Sequence, residues 1–180
     1  MARRFDPDRR QRIIDAAIRV VGEKGIAGLS HRSAAAEADV PLGSTTYHFK
    51  TLDELLVAAL RQVNGEPQTA VDGWARILGE SDDPLADRIT RLLGRLVGGD
   101  RGRMLLEYEL YLAALRREAL RPVAAEWLDG LVEVIGGYVD SPATAHALVA
   151  LIDGLVIQLL LTGREFDPVE TREMLARVIA

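Results

Sequence analysis

Three groups of side chains in this sequence are dense enough in polar atoms to do chemistry. The first lies at residues 40–50, V-P-L-G-S-T-T-Y-H-F-K, where Ser44, Thr45 and Thr46 precede Tyr47, His48 and Lys50. Pro41 fixes its own φ and pushes Val40 out of the helical region, so a tight connection closes there and a helix can restart at Leu42. An exposed helix with small hydroxyl residues at its start can enter a DNA major groove and bond base edges or phosphates. Tyr47, His48 and Lys50 add donors at the far end, where a backbone strand would pass. Taken alone, the same residues fit a short surface helix whose polar groups are merely solvated equally well.

The second group is Glu107-Tyr108-Glu109-Leu110-Tyr111. On a helical wheel Met104, Tyr108, Tyr111, Leu112 and Leu115 share a face, and the two carboxylates flank it on opposite sides. Carboxylates so placed cannot serve together as general acid and base on one substrate. They read either as boundary glutamates beside a core stripe or as one carboxylate lining a ligand cavity with a tyrosine. The third group is His146, Asp153 and Gln158, which interrupt the apolar stretch 145–161. Those residues make a poor membrane span, and a helix apolar nearly all round must be covered on several sides. A partner subunit is the natural cover, and Gly130, Gly136 and Gly154 would let two helices approach closely. Both helices could equally sit at the centre of a monomeric bundle.

No enzyme constellation accompanies these groups. His31, His48 and His146 fall on three different expected helices without metal-ligand spacing. Gly43 stands alone rather than in a phosphate-cradling loop, and no nucleophile elbow is present. No catalytic residue, metal or cofactor is expected, and Trp74 and Trp127 fit core packing better than cofactor contact.

The elements that position the first group are readable from punctuation. Asp6-Pro7 starts a helix, Ile14, Ala17, Ile18 and Val21 recur at helical spacing, and Lys24-Gly25 stops it. Arg9, Arg10 and Arg12 crowd its first turns, either as a solvated face or along phosphates. Ser30 caps a short helix over 31–38 built on Ala34, Ala35 and Ala38, small residues that admit a close neighbour. Asp39-Val40-Pro41 makes the turn into the helix at Leu42, which completes a helix-turn-helix packed on the longer first helix. Thr51-Leu52-Asp53-Glu54 is a capping box opening a fourth helix to Asn64, with Gly65 past its end.

Everything after that reads as helix. Val71, Trp74 and Leu78 mark one; Asp83-Pro84 opens another that Gly98-Gly99 stops; a third spans 100–120. A fourth opens at Pro122, a fifth at Ser141-Pro142, and a short last one at Asp167-Pro168. The 180 residues suffice for a sizeable core, and the absence of cysteine and of an apolar leader predicts a cytoplasmic protein. Net charge is −5, but residues 1–50 carry a balance of +3 and residues 51–180 one of −8. That asymmetry suits one end that meets a polyanion and another that keeps the chain soluble.

Residues 25–56 resemble the DNA-binding domain of the tetracycline-repressor (TetR) family of bacterial regulators. The resemblance rests on a long first helix ending at Gly25, on Ser30, Arg32 and Ala35, and on Val40, Gly43, Tyr47-His48-Phe49-Lys50 and Leu55. Three positions depart from the family pattern: Asp39 stands in place of Gly, Thr45 in place of Leu, and Thr46 where an aromatic residue is common. Asp tolerates a left-handed turn. Thr45 leaves the third helix short of a core anchor, to be offset by Phe49 and Leu55, and the aromatic phosphate contact rests on Tyr47 alone.

The resemblance implies an all-α chain. An N-terminal three-helix helix-turn-helix domain (1–50) is followed by a connecting helix (51–64) and a helical bundle for effector sensing and dimerisation (65–180). Over 65–180 the likeness is loose. The implied function is a ligand-responsive repressor that binds a palindromic double-stranded DNA operator as a homodimer, without a membrane, and is released by a small-molecule effector. The expected DNA contacts are Ser30, His31, Arg32, Leu42, Gly43, Ser44, Thr45, Thr46, Tyr47, His48 and Lys50. The expected effector contacts are Met104, Glu107, Tyr108, Tyr111 and Leu115. The dimer helices would meet through Trp127, Leu131, Ala150, Gly154, Leu155 and Gln158. The competing reading is a helical scaffold or partner-binding module without sequence-specific DNA binding.

Overall fold

Gly25 sets the first corner of the chain: at φ +68° it leaves the helical region, and its N–H still closes on the Val21 carbonyl at 2.8 Å. Only a residue at ease with positive φ ends a helix this way. The helix it ends, α1, spans Arg9–Lys24 and buries Ile13, Ile14, Ala16, Ala17, Val20 and Val21 on one side. The computed structural model of the chain describes residues 7–64 and 67–180, and their side chains apart from 64–72. The helix start expected at Asp6, the stop at Gly65 and the core role of Val71 lie outside what is described. α1 has Asp8 at its N-cap position, with no capping bond from its side chain.

Ser30 opens α2 (His31–Glu37) through a reciprocal cap: its hydroxyl accepts from the Ser33 N–H at 3.0 Å, while the Ser33 hydroxyl accepts from the Ser30 N–H at 2.8 Å. Ala34, Ala35 and Ala38 are all buried, and α2 packs on α1 and on α3 (Leu42–His48). The turn between α2 and α3 runs through Asp39 at φ +52°, and Val40 donates to the Ala35 carbonyl at 3.0 Å. The left-handed turn thus survives the replacement of glycine by aspartate. α4 (Leu52–Asn64) opens with half of the expected capping box: Glu54 N–H donates to Thr51 Oγ1 at 3.1 Å, while the Glu54 carboxylate accepts at 2.7 Å from the N–H of Lys50, one residue before the cap. Gln62 on α4 donates to Asp15 of α1 at 2.6 Å, tying the two helices.

Six more helices follow: α5 (Pro67–Leu78), α6 (Leu85–Val97), α7 (Arg101–Leu112), α8 (Arg121–Gly136), α9 (Pro142–Thr162) and α10 (Pro168–Ile179). No strand occurs among the described residues, and the chain is all-α. It forms two compact units: Met1–Val63 with Leu106–Val123, and Asn64–Leu105 with Ala124–Ala180. The boundary passes through α7. In the second unit α6 buries Leu85, Ala86, Ile89, Thr90, Leu92 and Leu93, spaced by three or four residues along one face. α10 packs on α6 and α9, and Arg172 bonds Asp87 across α10 and α6 at 2.6 Å. Asp167 caps α10, accepting from Val169 and Glu170 N–H groups.

The helix expected over 100–120 is shorter than its sequence suggests. α7 ends at Leu112, and two single 3-10 turns, Ala113–Leu115 and Glu118–Leu120, follow around an extended Arg117 (φ −125°, ψ 105°). Nothing in L-A-A-L-R-R-E-A-L breaks a helix by itself, so the break is made by tertiary contacts: Arg117 pairs with Asp53 at the start of α4, and Leu120 is fully buried.

Candidate nucleic-acid interface

α3 is held in the head by three buried side chains. Ser44 and Thr45 face inward, Thr45 with 0% exposure, and Phe49 is buried just past the helix end. The Thr45 hydroxyl donates to the Leu42 carbonyl at 2.7 Å, which satisfies it inside the core. Thr45 is therefore the anchor whose loss was expected. Ser44 and Thr45, expected among the DNA contacts, turn their side chains away from the surface. One helical turn cannot present four consecutive residues to the same side.

What α3 does present is Leu42, Gly43, Thr46 and Tyr47, with Tyr47 81% exposed and stacked edge-to-face on half-buried His48 at 5.1 Å. Beside them stand exposed Arg32, at the second residue of α2, and exposed Lys50. Neither cation has a side-chain partner among the described residues. Lys24, at the far end of α1, is also exposed and without a side-chain partner among the described residues, whereas the arginines of α1 are engaged. Arg10 lies 5.0 Å over the Phe49 ring, Arg19 bonds Glu37 at 2.6 Å, and Arg9 and Arg12 have interactions within the chain. The arginines of α1 thus serve the fold, at least in part. Ser30 is exposed but its hydroxyl is occupied in the cap, and the Nδ1 atom of His31 is buried with no hydrogen-bond partner.

The effector group divides. Met104 is buried, Glu107, Tyr108 and Tyr111 are half-buried, and the two tyrosines meet edge-to-face at 6.1 Å. Leu115 was expected on the same inward face but is 73% exposed, because α7 has already ended and the face does not continue. Glu109 takes a role that local sequence could not signal. Its carboxylate accepts from the Ile26 N–H at 2.7 Å, and a Cβ on Gly25 would lie only 3.0 Å from that oxygen. α7 thus grips the corner of the head just past α1.

A separate cleft of about 270 Å³ in the second unit was not anticipated; Ile77, Glu80, Ser81, Asp83, Arg88, Arg91 and Arg95 line it. Its charges are largely spent on one another. Arg91 meets Asp83 at 2.8 Å, Arg95 meets Glu80, and Arg88 donates to the Leu78 and Ser81 carbonyls while lying over the Tyr138 ring. The Ser81 hydroxyl, and then Arg91, hold the Asp83 carboxyl below its ordinary range.

Of the expected dimer residues, Leu131 is buried within its own chain, so its side chain is core rather than interface. Ala150 and Gln158 are exposed, and Trp127, Gly154 and Leu155 are half-buried. A Cβ added to Gly136 or Gly154 would meet nothing within 4 Å. α9 is long and apolar enough to cross a membrane by length and composition, yet only 28% of its apolar window is buried in the chain.

The family models agree with this architecture. Residues 13–59 match that of bacterial regulatory proteins, tetR family, and residues 80–180 match the tetracyclin repressor-like C-terminal domain. Among solved structures, the multidrug binding protein EbrR complexed with imidazole is 59% identical, with 97% of each chain covered and a TM-score of 0.89. EbrR complexed with ethidium is 57% identical over 96% of this chain and 99% of that one, at a TM-score of 0.82. The nicotine-responsive transcriptional repressor HdnoR of Paenarthrobacter nicotinovorans is 27% identical over 164 residues, 84% of this chain and 83% of its own length.

Proposed function

The chain belongs to the tetR family of bacterial regulatory proteins, a family of transcriptional regulators rather than enzymes, and from that premise we propose that it is a repressor. It binds a palindromic operator as a homodimer and leaves it when a small-molecule inducer binds. The observation that carries the DNA half is the set Arg32, Tyr47 and Lys50: exposed around α3, the two cations without a partner among the described residues. Unpaired, exposed cations beside an open helix suit neutralisation of a phosphate backbone.

Dimerisation is supported by α9. A glycine inside a helix costs roughly 1 kcal/mol relative to alanine, and Gly154 has no close neighbour within its own chain to require it. A second copy approaching along Ala150, Gly154 and Gln158 supplies the reason. That cover also accounts for the apolar surface of α9, in a cytoplasmic protein.

The inducer meets α7 through Glu107, Tyr108 and Tyr111. EbrR has been seen with ethidium, a planar aromatic cation, and carboxylate beside aromatic rings suits that class. The link from inducer to DNA runs along α7 itself, which carries these residues and also Glu109 at the Ile26 amide. An inducer favouring the released state a hundredfold supplies about 2.7 kcal/mol per site, and one with equal affinity for both states shifts nothing.

The test is fluorescence anisotropy with duplex from upstream of the gene against random duplex, at two salt concentrations. Inducer binding is followed separately by thermal shift with ethidium and no DNA, because the dye intercalates. Selective, salt-sensitive binding is expected, together with a raised melting temperature. Equal affinity for both duplexes would count against operator recognition.

A further inference from the structure

The open face of α3 lacks the side chains that read purines. Arginine, lysine, asparagine and glutamine, which bond guanine or adenine in pairs, are absent from residues 42–48. Two of its three serine and threonine residues, Ser44 and Thr45, are buried. The third, Thr46, is exposed; its hydroxyl makes only a long 3.4 Å contact back to the Gly43 carbonyl, and its methyl is open to a partner beside the hydroxyl's remaining acceptor sites. Leu42 lies one turn before Thr46, on the same side, and is 47% exposed. Gly43 beside it adds no side chain and has open space around it. Leu42, Gly43 and the Thr46 methyl thus make an apolar edge on α3, in the same head as the unpaired charges of Arg32 and Lys50.

Among base edges in the major groove, one feature is complementary to such an edge: the C5-methyl of thymine. We propose that Leu42 and Thr46 read thymine through its methyl group, so that each operator half-site carries thymine opposite this edge. The proposal rests on the operator-binding reading and deepens it. Guanine is left to Arg32, and the aromatic and basic groups of Tyr47 and Lys50 serve the backbone. About half of Leu42 is open to solvent in the free chain, and that half is what DNA would bury.

Deoxyuridine in place of thymine deletes the methyl and nothing else. The purified protein selects duplexes from a random pool, and each thymine of the enriched half-site is then replaced in turn. At the position facing Leu42 the affinity should fall about fourfold, the value of one buried methyl-sized group. Leu42→Ala should weaken binding to the thymine duplex and lose the uracil penalty at that position. On random DNA, where thymine meets this position in only some registers, the same variant should lose less than on the thymine duplex, since alanine favours the helix. Thr46→Ser, which removes a methyl and keeps the hydroxyl, should abolish the penalty at a second position. Equal binding of thymine and uracil duplexes overturns the inference, as does a Leu42→Ala protein that keeps the full uracil penalty. Failure to enrich any duplex overturns operator binding itself, and this inference with it.

Discussion

α3 and α9 each leave a face open to solvent, and the two faces could hardly differ more. α3 has seven residues, anchored by Thr45 and Phe49, and its surroundings are aromatic and cationic. α9 has twenty-one residues, only a fraction of its apolar window is buried, and its open side carries Ala150, Gly154 and Gln158. Water solvates the charges beside α3 at no cost, so that face can stand free and bind reversibly. Water does not favour the apolar length of α9, so that face calls for cover at all times. On the proposed function, one chain would thus carry a surface for a permanent association and another for a conditional one.

The largest expected effect is on the permanent face. Gly154→Glu puts a carboxylate where a second copy would exclude water, and an unpaired buried charge costs far more than such a contact returns. Sedimentation should show the dimer dissociation constant raised at least about a hundredfold, or 2.7 kcal/mol, with loss of selective DNA binding. A wild-type protein that sediments as a monomer at micromolar concentration would break the comparison outright.

Next come the cations of the conditional face, which should fail differently. Arg32→Ala should cost on the order of 1–3 kcal/mol on the operator and relax preference at one position. Lys50→Ala should weaken all duplexes alike and reduce the salt slope by about one. Anisotropy on operator and random duplex at several salt concentrations separates the two, and identical behaviour of both mutants removes the distinction.

A smaller effect is expected on α7. Tyr108→Ala and Tyr111→Ala should keep operator binding and raise the inducer concentration needed for release about tenfold, some 1.4 kcal/mol. Mutants that release normally would move the inducer site elsewhere.

The smallest effect concerns the acid side of stability. Ser81, and then Arg91, hold the Asp83 carboxyl below its ordinary range in the fold. Such a group stabilises the fold above its unfolded value and loses that contribution as pH falls through the folded one. Asp83→Asn should flatten the fall in melting temperature below about pH 4 and change little at pH 7, where exposed pairs contribute little.

Much of the head was legible because its signals are local. A serine cap, a glycine stop, an aspartate in the left-handed turn and a Thr-x-x-Glu cap each act within four residues. The same locality misled at Thr45. A hydroxyl in a row of hydroxyls reads as a contact, but helix geometry turns it inward and the Leu42 carbonyl satisfies it. Leu131 and Leu115 exchanged their expected surroundings for a comparable reason: helical spacing fixes which residues share a face, not which neighbour that face will meet. The end of α7 at Leu112 and the docking of Glu109 depend on partners more than sixty residues away, and no window along the chain contains both.

The Ile26 amide is bonded to a carboxylate 83 positions further along the chain. An amide held by a distant element exchanges its hydrogen with solvent only when that element withdraws. Its exchange rate is therefore a built-in, label-free meter of how firmly α7 holds the head. Binding couplings are reciprocal: if an inducer quickens exchange at Ile26 by loosening this bond, an operator that selects the docked head must slow it. The same operator must then weaken the grip on inducer by the factor that inducer weakens the grip on DNA. A single backbone proton, followed with each ligand in turn, gives both sides of that thermodynamic cycle.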